Sequence, residues 1–306
     1  MRKIILITMA AIFAVGVMAQ PKMRVWKNHA LAYEEDVTQI DSITFYEEFE
    51  GALIGVFSVS PTKKVRFSKG NLQYQASTDT WQFAESQYEY IGTNNANISP
   101  TYSGWIDLFG FGTGNNPTNT STDNNDYSTF VDWGVNAISN GGNKANVWRT
   151  LTNDEWGYLF CTRTNAASLF GLGSVNNVNG TIILPDNWST PQGISFIPSS
   201  SKGLADQDGY YVNSNRDNFS HNTYTAEQWL IMESAGAVFL PAAGARYGKY
   251  GSTYVFDFES NGSYRSSTPY DAENAYYLIF SSFDLYPQFY INRCDGHSVR
   301  LVQEVK

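Results

Sequence analysis

The sequence predicts an α+β protein with few helices, short antiparallel strands and long loops, behind a small β-rich N-terminal segment. Three observations carry that expectation. Only two stretches, at 152–163 and 225–236, open with a capping signature and continue with an apolar face. Short runs of alternating apolar and polar residues recur along the chain. Between them lie long stretches of Asn, Gly, Ser and Thr. Few helices beside many short strands read as α+β.

The elements follow in chain order. Arg2 and Lys3 precede an uncharged apolar run from Ile4 to Met18, and Val17-Met18-Ala19 closes it. This is the pattern of a secretory signal peptide over 1–19, with Gln20 left first after cleavage. Residues 20–50 form a β-rich segment or linker, with strands expected at Met23–Trp26 and Asp41–Tyr46. The main domain then spans 51–306. Val65 and Phe67 alternate with Lys64 and Arg66; Leu72, Tyr74, Trp81 and Phe83 continue a set of antiparallel strands, turning at Ser77-Thr78-Asp79. Residues 92–146 are mostly loop, with Trp105, Phe109, Phe111, Phe130 and Trp133 as expected anchors. Thr152-Asn153-Asp154-Glu155 and Thr225-Ala226-Glu227-Gln228 are capping boxes. Trp156, Leu159 and Phe160 make the apolar face of the first helix and Trp229 and Met232 that of the second, which Gly236 stops. Val238–Pro241 reads as a buried strand, and Ser298–Val302 as a strand with Val299 and Leu301 on one side.

Composition narrows the function classes. The formal net charge is −9, and losing Arg2 and Lys3 with the signal peptide makes it −11. So acidic a chain, without a basic stripe, repels phosphate backbones, which argues against nucleic acid as a partner. Charged residues make up 16% and aromatic residues 15%, the opposite of a disordered chain. No segment of the mature chain is long and apolar enough to be a transmembrane helix. Localisation is therefore expected to be secreted, periplasmic or outer-surface.

Several segments resemble a known family when taken in order. They are Trp148-Arg149-Thr150-Leu151-Thr152-Asn153-Asp154-Glu155-Trp156, Phe239-Leu240-Pro241-Ala242-Ala243-Gly244, Tyr264-Arg265-Ser266-Ser267-Thr268, Ala275-Tyr276-Tyr277-Leu278 and Gly296-His297-Ser298-Val299-Arg300-Leu301-Val302. Together they resemble the major paralogous domain (FISUMP) family of secreted bacterial proteins, over roughly residues 52–303. That resemblance implies a C-type lectin-like fold of the formylglycine-generating-enzyme type. Its terminal strands pair, and its irregular half carries recognition. The family's Tyr-Trp-Ser-Ser-Thr stands here with Arg265 in place of Trp. Because this fold hosts enzymes, lectins and diversified receptors, the resemblance does not fix a function.

A formylglycine-generating enzyme needs two neighbouring thiols near the end of the chain, whereas Cys161 lies in the first expected helix and Cys294 far downstream. Cys161 reads as a small apolar residue, and Cys294, in a polar stretch, as a surface thiol or a bridge partner. His29, His221 and His297 are too scattered for a metal site. Asp123 and Asp126, or Asp186 and Asn187, could offer oxygens to calcium, although their spacing equally suits Asx turns. No cofactor is therefore expected, with calcium as the weak exception. Fourteen aromatic residues fall within 247–290, interleaved with Ser, Gly, Asn and Asp. This is the composition of adaptable binding surfaces, though Tyr276 and Leu278 read as alternating core positions.

The expected function is therefore a non-catalytic ligand-binding or adhesion module for a surface glycan or protein. Its candidate site comprises Tyr247, Tyr250, Tyr254, Arg265, Phe283, Asp284, Tyr286, Phe289, Tyr290, Asn292, Asp295 and His297, with Lys249 and Asp257 beside them. The resemblance also implies that such a face can be genetically diversified. The alternatives are an enzyme of the formylglycine-generating type and a structural envelope or fimbrial subunit.

Overall fold

The capping boxes show how locally this chain is written. In the computed structural model, Thr152 accepts a hydrogen bond from the Glu155 amide while the Glu155 carboxylate accepts one from the Thr152 amide, and α1 (Asn153–Gly157) starts there. Glu155 also takes both terminal nitrogens of Arg149, at 2.7 and 2.8 Å. After one turn the helix widens into a π turn at Tyr158–Thr162. Trp156, Leu159 and Phe160 are buried on its inner side, as the spacing predicts. Thr225 and Gln228 cap α2 (Ala226–Ser234) in the same way; Gly236, with φ +98°, ends it in a conformation that L side chains rarely adopt.

The described residues are 21–27, 30–39, 50–199, 203–206, 209–213, 218–248 and 254–305. The signal-peptide segment and the strand expected at Asp41–Tyr46 lie outside them. Two units divide between Glu47 and Glu48. The first holds an antiparallel ribbon, β1 (Lys22–Lys27) with β2 (Ala30–Asp36), in which Glu34 accepts hydrogen bonds from Lys22 and Arg24.

The second unit holds several small sheets. One is three-stranded. In it β4 (Lys64–Phe67) lies between β3 (Phe57–Ser58) at the start of the unit and β19 (Val302–Glu304) at its end. Another joins β5 (Leu72–Gln75) to β6 (Thr80–Phe83) and β7 (Trp105–Ile106). The β5–β6 hairpin turns at 76–78 with Asp79 at φ 50°. A four-stranded sheet orders β12 (Thr223–Tyr224), β8 (Phe170–Val175), β9 (Val178–Ile183) and β13 (Val238–Pro241), and every residue of β13 is buried. Beside the short pair β14 (Ala245–Arg246) and β15 (Val255–Phe256) there is a five-stranded antiparallel sheet. Its order is β10 (Gly203–Asp206), β11 (Gly209–Asn213), β18 (Asp284–Asn292), β17 (Asn274–Phe280) and β16 (Gly262–Pro269). The α+β class of the sequence reading is thus the architecture found.

The long 92–146 stretch is pinned by its aromatics. Phe109, Phe111 and Trp133 are buried, while Trp105 and Phe130 are half-buried. Trp81, Phe109 and Trp133 pack ring against ring at 5.6 and 6.2 Å.

The final segment departs from the sequence reading. Residues 298–301 are not a regular strand, and Val299 and Leu301 do not share a buried side against an open one: Ser298, Arg300 and Val302 are buried as well. The reason is that successive backbone groups serve different partners. The Ser298 carbonyl accepts from Arg265, the Val299 carbonyl from Leu72 and the Leu301 carbonyl from Ser68. A segment enclosed on all sides has no polar face.

The segments behind the family resemblance are packing devices here. The Tyr264 hydroxyl donates to the Pro241 carbonyl at 2.9 Å, the Ser267 amide to the Leu151 carbonyl at 2.9 Å, and the Thr268 hydroxyl accepts from the Asn153 amide at 3.0 Å. These bonds tie β16 to β13 and to the start of α1.

Candidate functional site

Strand β18 carries Asp284, Tyr286, Phe289, Tyr290 and Asn292 of the candidate residues, and its neighbours decide which of them face out. Tyr276 on β17 pairs directly with Tyr290, and Tyr277 with Phe289. The register slips between Tyr277 and Ile279, and this bulge changes the side-chain phase. Tyr277 and Leu278 are consequently both buried while Tyr276 is only half-buried, so the expectation that Tyr276 is a core residue alternating with Leu278 is corrected.

At one end of β17 the chain turns through Asp271, whose carboxylate accepts from the Glu273 and Asn274 amides. The turn delivers Tyr270, which stacks on Tyr290 at 4.0 Å and meets Tyr276 edge-on at 5.1 Å. Phe289 continues the cluster from Tyr290 at 5.7 Å and touches Tyr286 at 5.5 Å. Tyr270 is 44% and Phe289 38% exposed. At the other end of β17, Phe283 stands on the hairpin tip, 69% exposed, with Asp284 half-buried behind it. Asp284, Tyr286, Phe289 and Tyr290 therefore lie along β18 with Phe283 at the tip before it, and Tyr270 and Tyr276, absent from the sequence candidates, complete the surface. The signal for Tyr270 was its place two residues after Ser-Thr at a turn; nothing local says that it folds back onto Tyr290.

A second aromatic group forms where β14 meets β15. Tyr247 stacks on Phe256 at 3.8 Å, and Phe256 lies parallel to Tyr254 at 6.2 Å; Tyr254 is 68% exposed and Asp257 is exposed. Lys249 and Tyr250 lie outside the described residues.

The remaining candidates are internal. Arg265, Asp295 and His297 are buried, which removes them from any ligand-touching surface. Asn292, half-buried at the end of β18, accepts at its carbonyl from Arg265. The cause of this burial is the crossing of four segments: the amide of Phe109 donates to the His297 carbonyl, that of Arg246 to Gly296, and that of Arg265 to Ser298. Beneath the aromatics lies a polar layer of Arg246, Arg265, Asp295, His297 and Tyr277. Tyr277 touches Phe289 above and His297 below, at 6.0 and 4.9 Å. Burial pushes the Arg265 guanidinium down to about 10 and the Tyr277 phenol up. Burial, then Arg265 and Arg246, hold His297 well below its ordinary value, so the ring is neutral.

The thiols and carboxylates also find places. Cys161 and Cys294 are unpaired, and Cys294 is buried rather than at the surface, because its segment is covered by the 108–127 loop. Burial raises Cys161 to about 12 and Cys294 to about 11, far from a reactive thiolate. Asp186 accepts from the Ser58 amide and hydroxyl and pairs with Arg163 at 3.4 Å. Asp123 caps the turn at 124–127. Among the described residues, no three His, Cys, Asp or Glu side chains converge on a metal position. A cleft of about 210 Å³ lies alongside, lined by Phe111, Thr113, Asn116, Asn119, Asp126 and Tyr127. Its polar groups turn mostly to their own loop: Thr113 donates to the Gly110 carbonyl, and Asp126 accepts from Ser121.

No helix among the described residues is long and apolar enough to cross a membrane. The chain matches no family model, no curated protein and no solved structure.

Proposed function

We propose that this chain is an exported, non-catalytic binding or adhesion module of a bacterial envelope, with a C-type lectin-like domain, and that its ligand is a surface glycan or protein. The observation that carries the reading is the aromatic surface on β17 and β18, where Tyr270, Tyr276, Tyr286, Phe289 and Tyr290 pack edge and face while Phe283 projects at the tip. Tyr and Phe give large contact area at small entropic cost, and stacked neighbours are already fixed before a partner arrives. The pairing of β4 with β19 and the long irregular 92–146 stretch support the lectin-like reading.

A screen of the mature chain against glycans and envelope proteins tests the proposal, with Tyr270→Ser and Phe283→Ser alongside. Both side chains are substantially exposed, so the variants are expected to fold and to lose at least tenfold in affinity for whatever the parent binds. Full affinity in both variants would place the ligand elsewhere.

A further inference from the structure

Arg246 is fully buried, with its whole guanidinium enclosed. Its backbone is fixed by an exchange of hydrogen bonds with Gly296, at 2.9 and 2.7 Å. A Cβ at Gly296 would lie 2.9 Å from Arg246 Nε and 3.0 Å from the Leu108 carbonyl, so a larger residue there would push the arginine side chain aside. Yet Nε, Nη1 and Nη2 of Arg246 all lack a hydrogen-bond acceptor among the described residues. Arg265, in the same layer, spends Nη2 on the carbonyls of Asn292, Arg293 and Asp295, while its Nε and Nη1 also lack acceptors.

The charge balance points the same way. Arg246 and Arg265 face one carboxylate, Asp295, whose Oδ1 accepts from the Gly248 amide at 2.8 Å and whose Oδ2 has no hydrogen-bond partner among the described residues, leaving one negative charge against two guanidinium groups. Neither guanidinium forms an ion pair among the described residues. His297, whose ring lies 4.9 Å from that of Tyr277, is neutral. Buried donors of a guanidinium are normally satisfied, and buried charge is normally paired. Arginine's fork is also the protein group best suited to anions.

We propose that Arg246 holds a small monovalent anion of halide size inside the domain, with Arg265 adding positive field from the same layer. Complete enclosure and the close approach of Gly296 favour a single-atom ion over a phosphate or sulfate. The ion would serve the architecture, locking the 293–298 segment against β14 beneath the aromatic surface, and it is independent of the ligand proposed above.

The test uses the whole mature chain. Unfolding is followed in sodium bromide and in sodium gluconate at equal ionic strength, because gluconate is too large to enter. In the saturating range each tenfold rise in bromide is expected to raise the folding equilibrium constant about tenfold. Arg246→Met should abolish that dependence; a bromide effect of the same size in the variant would overturn the site. Should Arg246→Met fail to fold, crystals of the parent grown in bromide decide. An anomalous peak within hydrogen-bonding reach of the Arg246 guanidinium supports the proposal, and water alone at that position, or equal stability in the two salts, refutes it.

Discussion

Replacing Asp186 by Ala tests how the first helix is anchored. Arg163 leaves the π turn with its side chain buried and donates to the carbonyls of Leu159 at 2.8 Å, Leu184 at 3.0 Å and Leu169 at 3.2 Å. Those carbonyls satisfy its N–H groups but not its charge, and burial pulls the guanidinium down to about 10. Asp186 is the counter-charge. Burial pushes its carboxyl up, but hydrogen bonds from the Ser58 hydroxyl and amide, with Arg163 and Lys64, outweigh that and hold it below its ordinary value. Asp186→Ala therefore strands a buried cation and leaves the Ser58 amide without its acceptor. Breaking a fully buried pair costs about 3–5 kcal/mol; Asp186 is partly solvated, so about 2–4 kcal/mol is expected. Urea denaturation followed by tryptophan fluorescence reads it. Arg163→Met removes the charge as well, so the double variant should be more stable than the sum of the singles implies, by about 1–2 kcal/mol. A loss below about 0.5 kcal/mol for Asp186→Ala, or strict additivity, would refute the anchor. Chelator is expected to leave the parent's midpoint unchanged; a chelator effect that Asp186→Ala removes would make Asp186 a calcium ligand after all.

Three further outcomes are expected. Asp107 and His297 oppose each other in acid. His297 is depressed in the fold, so the unfolded chain takes up its proton first and stability is lost as pH falls below about 6.5. Asp107 is raised to about 6 by burial, against hydrogen bonds from the Asn95 side chain and the Ile91 amide, so the folded chain protonates first and stability is gained between about pH 6 and 4. Asp107→Asn should steepen the acid loss over that window by about 1.4 kcal/mol per pH unit relative to the parent, and unchanged slopes in urea titrations would contradict the assignment. Both thiols should resist a disulfide reagent at pH 8 in the native chain and react fully in urea without reductant; failure to react in urea would reveal a bridge between Cys161 and Cys294. N-terminal sequencing of protein from the native host should begin at Gln20, and an intact Met1 would refute export by cleavage.

The parts of this protein legible in its sequence are those whose cause is local. Thr152–Glu155 and Thr225–Gln228 each satisfy their own backbone groups, so four residues suffice to recognise a helix start. The alternation of Val65 and Phe67 shows one face of β4 because that strand has one wet side. Within the aromatic-rich 247–290 stretch, Phe283 and Phe289 are exposed and Tyr286 and Tyr290 half-buried. What the sequence could not carry was phase and crossing. A one-residue slip between β17 and β18 moves Tyr276 out and brings Tyr277 and Leu278 in together, and no periodicity records a bulge whose partner is in another strand. Arg265, Asp295 and His297 look like recognition residues because they are polar and interleaved with aromatics. They are buried because the 293–298 segment is enclosed by residues near 109, 246 and 264, far apart in the chain. Composition sets which groups exist; only the long-range crossing of segments decides which of them keep water, and so which can touch a partner.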